Sequence, residues 1–294
     1  MFINFIKLLV LLGIPGSFLY YASSALREEP FFFAVLITLV LVFGVYWFSD
    51  KVALKVCRAE LLTVYHSPTL FRTVEDVCKR ADVRVPKVYM IREAAPNICS
   101  VARDKRHTGI VFTEGMLKAL SQEELRSAIA HELVHIYRRD TQVATLAALF
   151  ASCLGLNTKT ARDQAAKVEH PRGMPGRKLQ FVFNGILNLL APIAALIVQL
   201  LVSMRRDYRA DKLGAKLVGN PLAMANAIRT MEKKKHVHPM IAAPAGAHLF
   251  MVSPLISGRI ERMFRTQPPM VKRIERLEKM HKPLPQTQLV VTSK

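Results

Sequence analysis

At 294 residues the chain can bury a real core, as one large domain or two small ones. A hydrophobic fraction of 51% and a mean hydropathy of +0.21 beside 22% charged residues describe apolar stretches segregated from charged ones, as in a membrane protein with a soluble domain. No zinc-finger, RRM or helix-turn-helix pattern accompanies the net charge of +20, which sets nucleic acid aside in favour of anionic lipid headgroups; four scattered cysteines without a CxxC pair exclude a disulfide framework.

Leu8 to Leu26 is uncharged for 19 residues, kinked at Pro15-Gly16, and about 28 Å long as a helix. A cleaved signal peptide ending near Ala22 to Ala25 is the alternative, but a second uncharged run, Phe31 to Phe48, follows at once. Lys51, Lys55 and Arg58 lie beyond it, whereas the connector Arg27-Glu28-Glu29 has little positive charge, so the positive-inside rule places everything after Asp50 in the cytoplasm. Val52 to Ala81 reads as amphipathic helix with a break and fresh start at Ser67-Pro68. Val85 to Ile91, Asn97 to Ala102 and Gly109 to Thr113 read as strands, the last two flanking the charged turn Arg103 to His107. Glu114 to Leu120 is a short helix leading into a longer one.

That longer helix carries His131-Glu132-Leu133-Val134-His135. Residues four apart stand one above the other on a helix, so the two imidazoles can grip one metal ion while Glu132 takes a proton from water beside it. Ser121 and Glu124 form a capping-box pattern at its start, and Leu125, Ala128, Ile129 and Val134 recur at helical spacing.

Beyond Asp140 the chain is apolar from Val143 to Leu156, short for a span at 14 residues. A loop, Asn157 to Gln180, with six basic and two acidic residues leads to Phe181–Met204, 24 uncharged residues and long enough to cross with tilt. A helix then runs from Arg205 to Gly219, Asn220-Pro221 starts the next, and Val271 to His281 is a basic amphipathic helix. His236 to Ser257, interrupted by Pro239, Pro244 and Pro254, reads as irregular buried structure. Tetrahedral zinc at a catalytic site takes three protein ligands, so a third is needed. Candidates are Asp140, Asp163, Glu169, Asp207, Asp211 and the histidines at 170, 236, 238 and 248. Spacing favours Asp207 and Asp211, one for the metal and one behind a ligand histidine, although a solvated charged helix among Arg205, Arg206, Arg209 and Lys212 has the same pattern.

The chain resembles the HtpX-type membrane zinc metalloproteases, relatives of the CAAX prenyl protease. The resemblance is carried by Pro96-Asn97, Ala130-His131-Glu132-Leu133-Val134-His135 with Asp140, Arg206-Asp207-Tyr208-Arg209-Ala210-Asp211, Gly214 to Gly219, and Pro268-Pro269 followed by Lys272-Arg273-Ile274. It implies a mainly α fold with a small β-sheet: a membrane-anchored, gluzincin-like metalloprotease domain with transmembrane helices. It also implies a multi-pass protein facing the cytoplasm, cleaving membrane or misfolded proteins in quality control and stress response. One zinc ion would be held by His131, His135 and Asp207, with Glu132 as catalytic base, Asp211 and Asp140 behind the ligands, and the strand at Asn97 pairing with a peptide substrate. The expected division is a transmembrane hairpin over 1–50, the two protease halves over 51–140 and 205–283, a second apolar hairpin over 141–204, and a tail over 284–294. Two departures stand out: Asp207 where the family has Glu, and Gln267 where it has His. Ile98-Cys99-Ser100-Val101 is altered too. They leave a zinc-binding pseudoprotease scaffold as the rival reading.

Overall fold

The structure, a computed structural model, describes residues 30–153, 202–237, 240, 244–254 and 266–281. The expected span Leu8–Leu26, the loop Asn157–Gln180 and the stretch from Phe181 to residue 201 lie outside them, as does the tail. The first helix, α1 (Pro30–Val56), contains the second apolar run and continues without a break past Asp50, where the domain boundary was expected. Among the described residues no helix is long and apolar enough to cross a membrane.

Helix α1 ends where Arg58 adopts a left-handed backbone, φ 53°, and the amide of Ala59 closes on the carbonyl of Leu54. The chain then forms a two-residue strand, β1 (Glu60–Leu61), and a 3₁₀ turn at Val64–His66, where the sequence reads as continuing helix. The fresh start at Pro68 is observed: α2 (Pro68–Ala81) has its proline in the first turn, which needs no amide donor there. Strands β2 (Lys87–Ile91), β3 (Ile98–Ala102) and β4 (Thr108–Thr113) complete a mixed sheet in the order β1-β2-β4-β3. β2 runs parallel to β4, and the other two pairings are antiparallel.

Helices follow: α3 (Glu114–Ala119), α4 (Gln122–Arg138), α5 (Asp140–Cys153), α6 (Arg205–Val218), α7 (Pro221–Val237), a 3₁₀ turn at Pro244–Leu249, and α8 (Met270–His281). Both faces of the sheet are covered. Ile98, Ile110 and Phe112 join a core with α2, α4, α7 and α8 residues, while Cys99, Val101 and Val111 join a second core with α1 and α5. All five residues of β3 are therefore buried, which is why the strand reads as a nearly continuous apolar run. Its outer edge is not free. Cys99 bridges to Phe250, the amide of Met251 donates to the carbonyl of Ile98 at 2.8 Å, and the short segment Phe250–Val252 lies antiparallel along it.

Candidate metal centre

Helix α4 is fixed at both ends by local chemistry. The Ser121 hydroxyl accepts from the amide of Glu124 at 3.3 Å and the Glu124 carboxylate accepts from the amide of Ser121 at 2.8 Å, the reciprocal capping box its sequence suggests. At the other end Arg139 takes a left-handed conformation, φ 61°, and the chain turns directly into α5. Between these caps the helix is buried from Ser127 through Ile136, including the ionisable His131, Glu132 and His135. Polar groups so placed need partners.

Helix α6 supplies partners for the two histidines. It approaches α4 along Ala210, Gly214 and Ala215, and a Cβ at Gly214 would sit 3.0 Å from the amide nitrogen of His131 and 3.1 Å from the carbonyl carbon of Ala130. Backbone lies almost on backbone, so short side chains reach across. Oδ1 of Asp207 is 3.5 Å from Nε2 of His135, and Nε2 of His135 is 3.2 Å from Nε2 of His131. Tetrahedral zinc with ligand bonds of about 2.1 Å holds its donors about 3.4 Å apart, so these separations match the demand of the ion. Oδ2 of Asp207 is buried without a hydrogen-bond partner. Donor chemistry and spacing therefore fit one zinc at His131, His135 and Asp207, a set whose ligand atoms all lie within 4.8 Å of one another. The close approach of α6 lets an Asp reach the space where a longer Glu was expected.

Behind the histidines stand the two other carboxylates. Asp211 Oδ1 is 2.9 Å from Nδ1 of His131, and Asp140 Oδ2 is 3.5 Å from Nδ1 of His135. Each leaves the opposite ring nitrogen directed to the shared space, the usual way a ligand histidine is oriented. Asp211 is in turn gripped by Arg273 of α8 through two bonds of 2.7 Å, and Arg273 also donates to the carbonyl of Met251 at 2.8 Å. Arg273 is fully buried. Its role escapes the sequence reading, though a signal exists: it lies four residues before buried Leu277, on the apolar face of α8.

The charges shift accordingly. Burial lowers the pKa of His131, and its contact with Asp211 recovers only part of that. Burial also acts against the charged form of His135, but Asp140 and Asp207 outweigh it and raise the pKa to about 9 in the metal-free protein. Burial works against the anion of Asp211, yet Arg273 and His131 hold its carboxyl well below the usual range. Asp207 is lowered too: Arg206 and His135 overcome its burial.

Other expected residues fall elsewhere. Asp163, Glu169, His170 and His238 lie outside the described residues, and His236 is at the exposed end of α7. His248 is buried with its Nε2 2.9 Å from the carbonyl of Ala144, and burial pushes its pKa down to about 4 despite that bond. Asn97, at the strand expected to pair with a substrate, is engaged with the chain itself: its Nδ2 donates to the carbonyl of Val252 at 2.7 Å and its Oδ1 accepts from the amide of Val252 at 3.2 Å. Gln267 donates to the carbonyl of Phe250 and so anchors the same segment.

Over residues 66–281 the sequence matches peptidase family M48. The chain belongs to that family. A protease HtpX homolog from Sulfurihydrogenibium sp. is 34% identical over 285 residues, covering 94% of this chain and 96% of the relative. One from Pelotomaculum thermopropionicum is 35% identical over 235 residues, 80% of this chain and 84% of its own length. Among solved structures, Ste24p from S. mikatae matches with a TM-score of 0.49 and 15% identity, over 94% of this chain and 65% of that one.

Proposed function

We propose that this M48 member is an HtpX-type, membrane-held zinc endopeptidase that cleaves membrane or misfolded proteins, its site facing the cytoplasm. The observation that carries the reading is the spacing of the donors, 3.2 Å between His131 and His135 on the helix that also bears Glu132 and 3.5 Å from His135 to Asp207 on α6. Zinc at those donors would supply Lewis acidity toward the attacking water and the scissile carbonyl. Glu132 accepts the proton of that water and returns it to the leaving amine, the work of a general base that becomes a general acid. Asp211, held by Arg273, and Asp140 keep the imidazoles turned toward the ion. Membrane attachment rests on the sequence: the apolar runs Leu8–Leu26, Phe31–Phe48 and Phe181–Met204, with basic residues following Asp50.

Pairing of a substrate with the outer edge of β3 at Asn97 requires Phe250–Val252 to give way, because that segment holds the edge. Glu132 also favours the enzyme over a scaffold, which has no use for a buried base. The deciding experiment is Glu132→Gln in the full-length protein. Zinc content should stay near one ion per chain while cleavage of a denatured protein falls by about 10²–10⁴-fold, the typical worth of a general base. Cleavage at the wild-type rate would remove Glu132 from the mechanism.

A further inference from the structure

We propose that Ser100 is a positioning residue for Glu132: its hydroxyl, itself steered by Thr141, fixes one oxygen of the carboxylate and so aims the other. The inference rests on the reading of Glu132 as the base, and it concerns a residue of β3 that has so far been assigned no role. Ser100 is the polar member of the buried strand Ile98–Ala102. A hydroxyl in that setting is unfavourable unless it is bonded. Its Oγ lies 2.6 Å from Oε2 of Glu132, within the range of a charge-assisted O–H···O⁻ bond, and 3.0 Å from Oγ1 of Thr141.

The direction of these bonds follows from counting protons. An ionised carboxylate only accepts, so Ser100 must give its single proton to Glu132. Ser100 can then meet Thr141 only as an acceptor, and Thr141 must donate. The result is a directed chain, Thr141 to Ser100 to Glu132, in which each bond polarises the next. Its three members come from α5, β3 and α4, and all are buried: Thr141 2%, Ser100 4% and Glu132 1% exposed. The carboxylate sits where those three elements meet, so its place is set by the packing of sheet on helix.

Glutamate needs such a hold. Its side chain has three rotatable bonds, and ordering a side chain of this kind costs up to about 2 kcal/mol. A carboxylate without a tether would sample other rotamers, and a base displaced by about 1 Å loses much of its rate. With Oε2 fixed by Ser100, Oε1 remains for the proton that is to be moved.

The test uses the full-length zinc-loaded protein and a quenched peptide substrate. Ser100→Ala should lower kcat by about 10- to 100-fold with KM changed less than about twofold and zinc content unchanged. Ser100→Thr, which keeps the hydroxyl, should recover most of the loss. Thr141→Val, which removes the outer donor, should give a smaller drop of the same kind. In a Glu132→Gln background, Ser100→Ala should cause no further loss of residual activity, because it acts through the carboxylate. A second readout needs no turnover: in the metal-free protein the Tm losses of Ser100→Ala and Glu132→Gln should fail to add, as they do for groups that share a bond. Additive Tm losses, an unchanged kcat in Ser100→Ala, or a loss that Thr does not rescue would each overturn the proposal. An inactive Glu132→Gln beside a fully active Ser100→Ala would overturn the positioning role and leave the peptidase reading standing.

Discussion

The candidate metal centre turns on a difference of one methylene. Asp207 is shorter than the Glu expected there, and yet its Oδ1 stands 3.5 Å from Nε2 of His135, where a shared ion needs it. Asp207→Ala should therefore abolish stoichiometric zinc, whereas Asp211→Ala, which leaves all three donors, should weaken zinc by about 10- to 100-fold. Asp207→Glu should also weaken binding, because the added carbon overshoots a distance already met; tighter binding by the Glu variant would show that α6 stands further from the two histidines than the 3.5 Å contact of Asp207 with His135 implies. His135 gives the pH dependence. Its pKa of about 9 in the metal-free protein lies above the ordinary 6.5, so its proton stabilises that form fully below pH 6.5, and the contribution disappears as the pH rises through 9. Zinc must displace the same proton. Affinity should rise about tenfold per pH unit between about 6.5 and 9 and then level off, which titration against a zinc chelator in buffers across that range will reveal.

At the scale of elements, the site is the contact of α4 with α6, and Gly214 sets its closeness. Gly214→Ala puts a methyl 3.0 Å from a backbone nitrogen of α4, which cannot swing aside as a side chain can. The helices must part by a few tenths of an ångström, at about 1–3 kcal/mol of stability, and zinc affinity should fall with them; thermal unfolding with and without zinc measures both. The parts of this arrangement written locally were legible in the sequence. The capping box at Ser121 and Glu124, the four-residue spacing of His131 and His135, the pair Asp207 and Asp211, and the start of α2 at Pro68 each depend on neighbours within a turn or so. What escaped is held by partners far along the chain. β1 has two residues and exists because Glu60 and Leu61 meet Met90 and Tyr89. The edge of β3 is covered by a segment 155 residues away, as the bonds of Asn97 to Val252 show. Arg273 reaches Asp211 across 62 positions, and Ser100 reaches Glu132 across 32. No periodicity encodes such pairings, because they arise only when helices and sheet have packed.

For the whole molecule, the centre joins both halves of the sequence: His131 and His135 lie before the segment of residues 154–201, Asp207 and Arg273 after it. An ion shared between those halves would tie them together like a crosslink. Zinc at a thousandfold above its Kd stabilises the folded state by about 4 kcal/mol, about 10 °C of Tm for a chain of this size. Chelation should remove that increment from the full-length protein, and Glu132→Gln, with its donors intact, should keep it. The burial of the charges carries this further. Glu132, Asp140, Asp207 and Asp211 are all less than 9% exposed, as are Arg206 and Arg273. Carboxylates gathered in an interior repel one another, and a divalent cation at the donors would offset part of that repulsion. In the metal-free protein the proton held by His135 takes some of the cation's place. Zinc would then act as a counter-ion of the core as well as a Lewis acid. In a cell short of the metal, the abundance of the protein should fall together with its activity, because the folded chain itself becomes the scarce species.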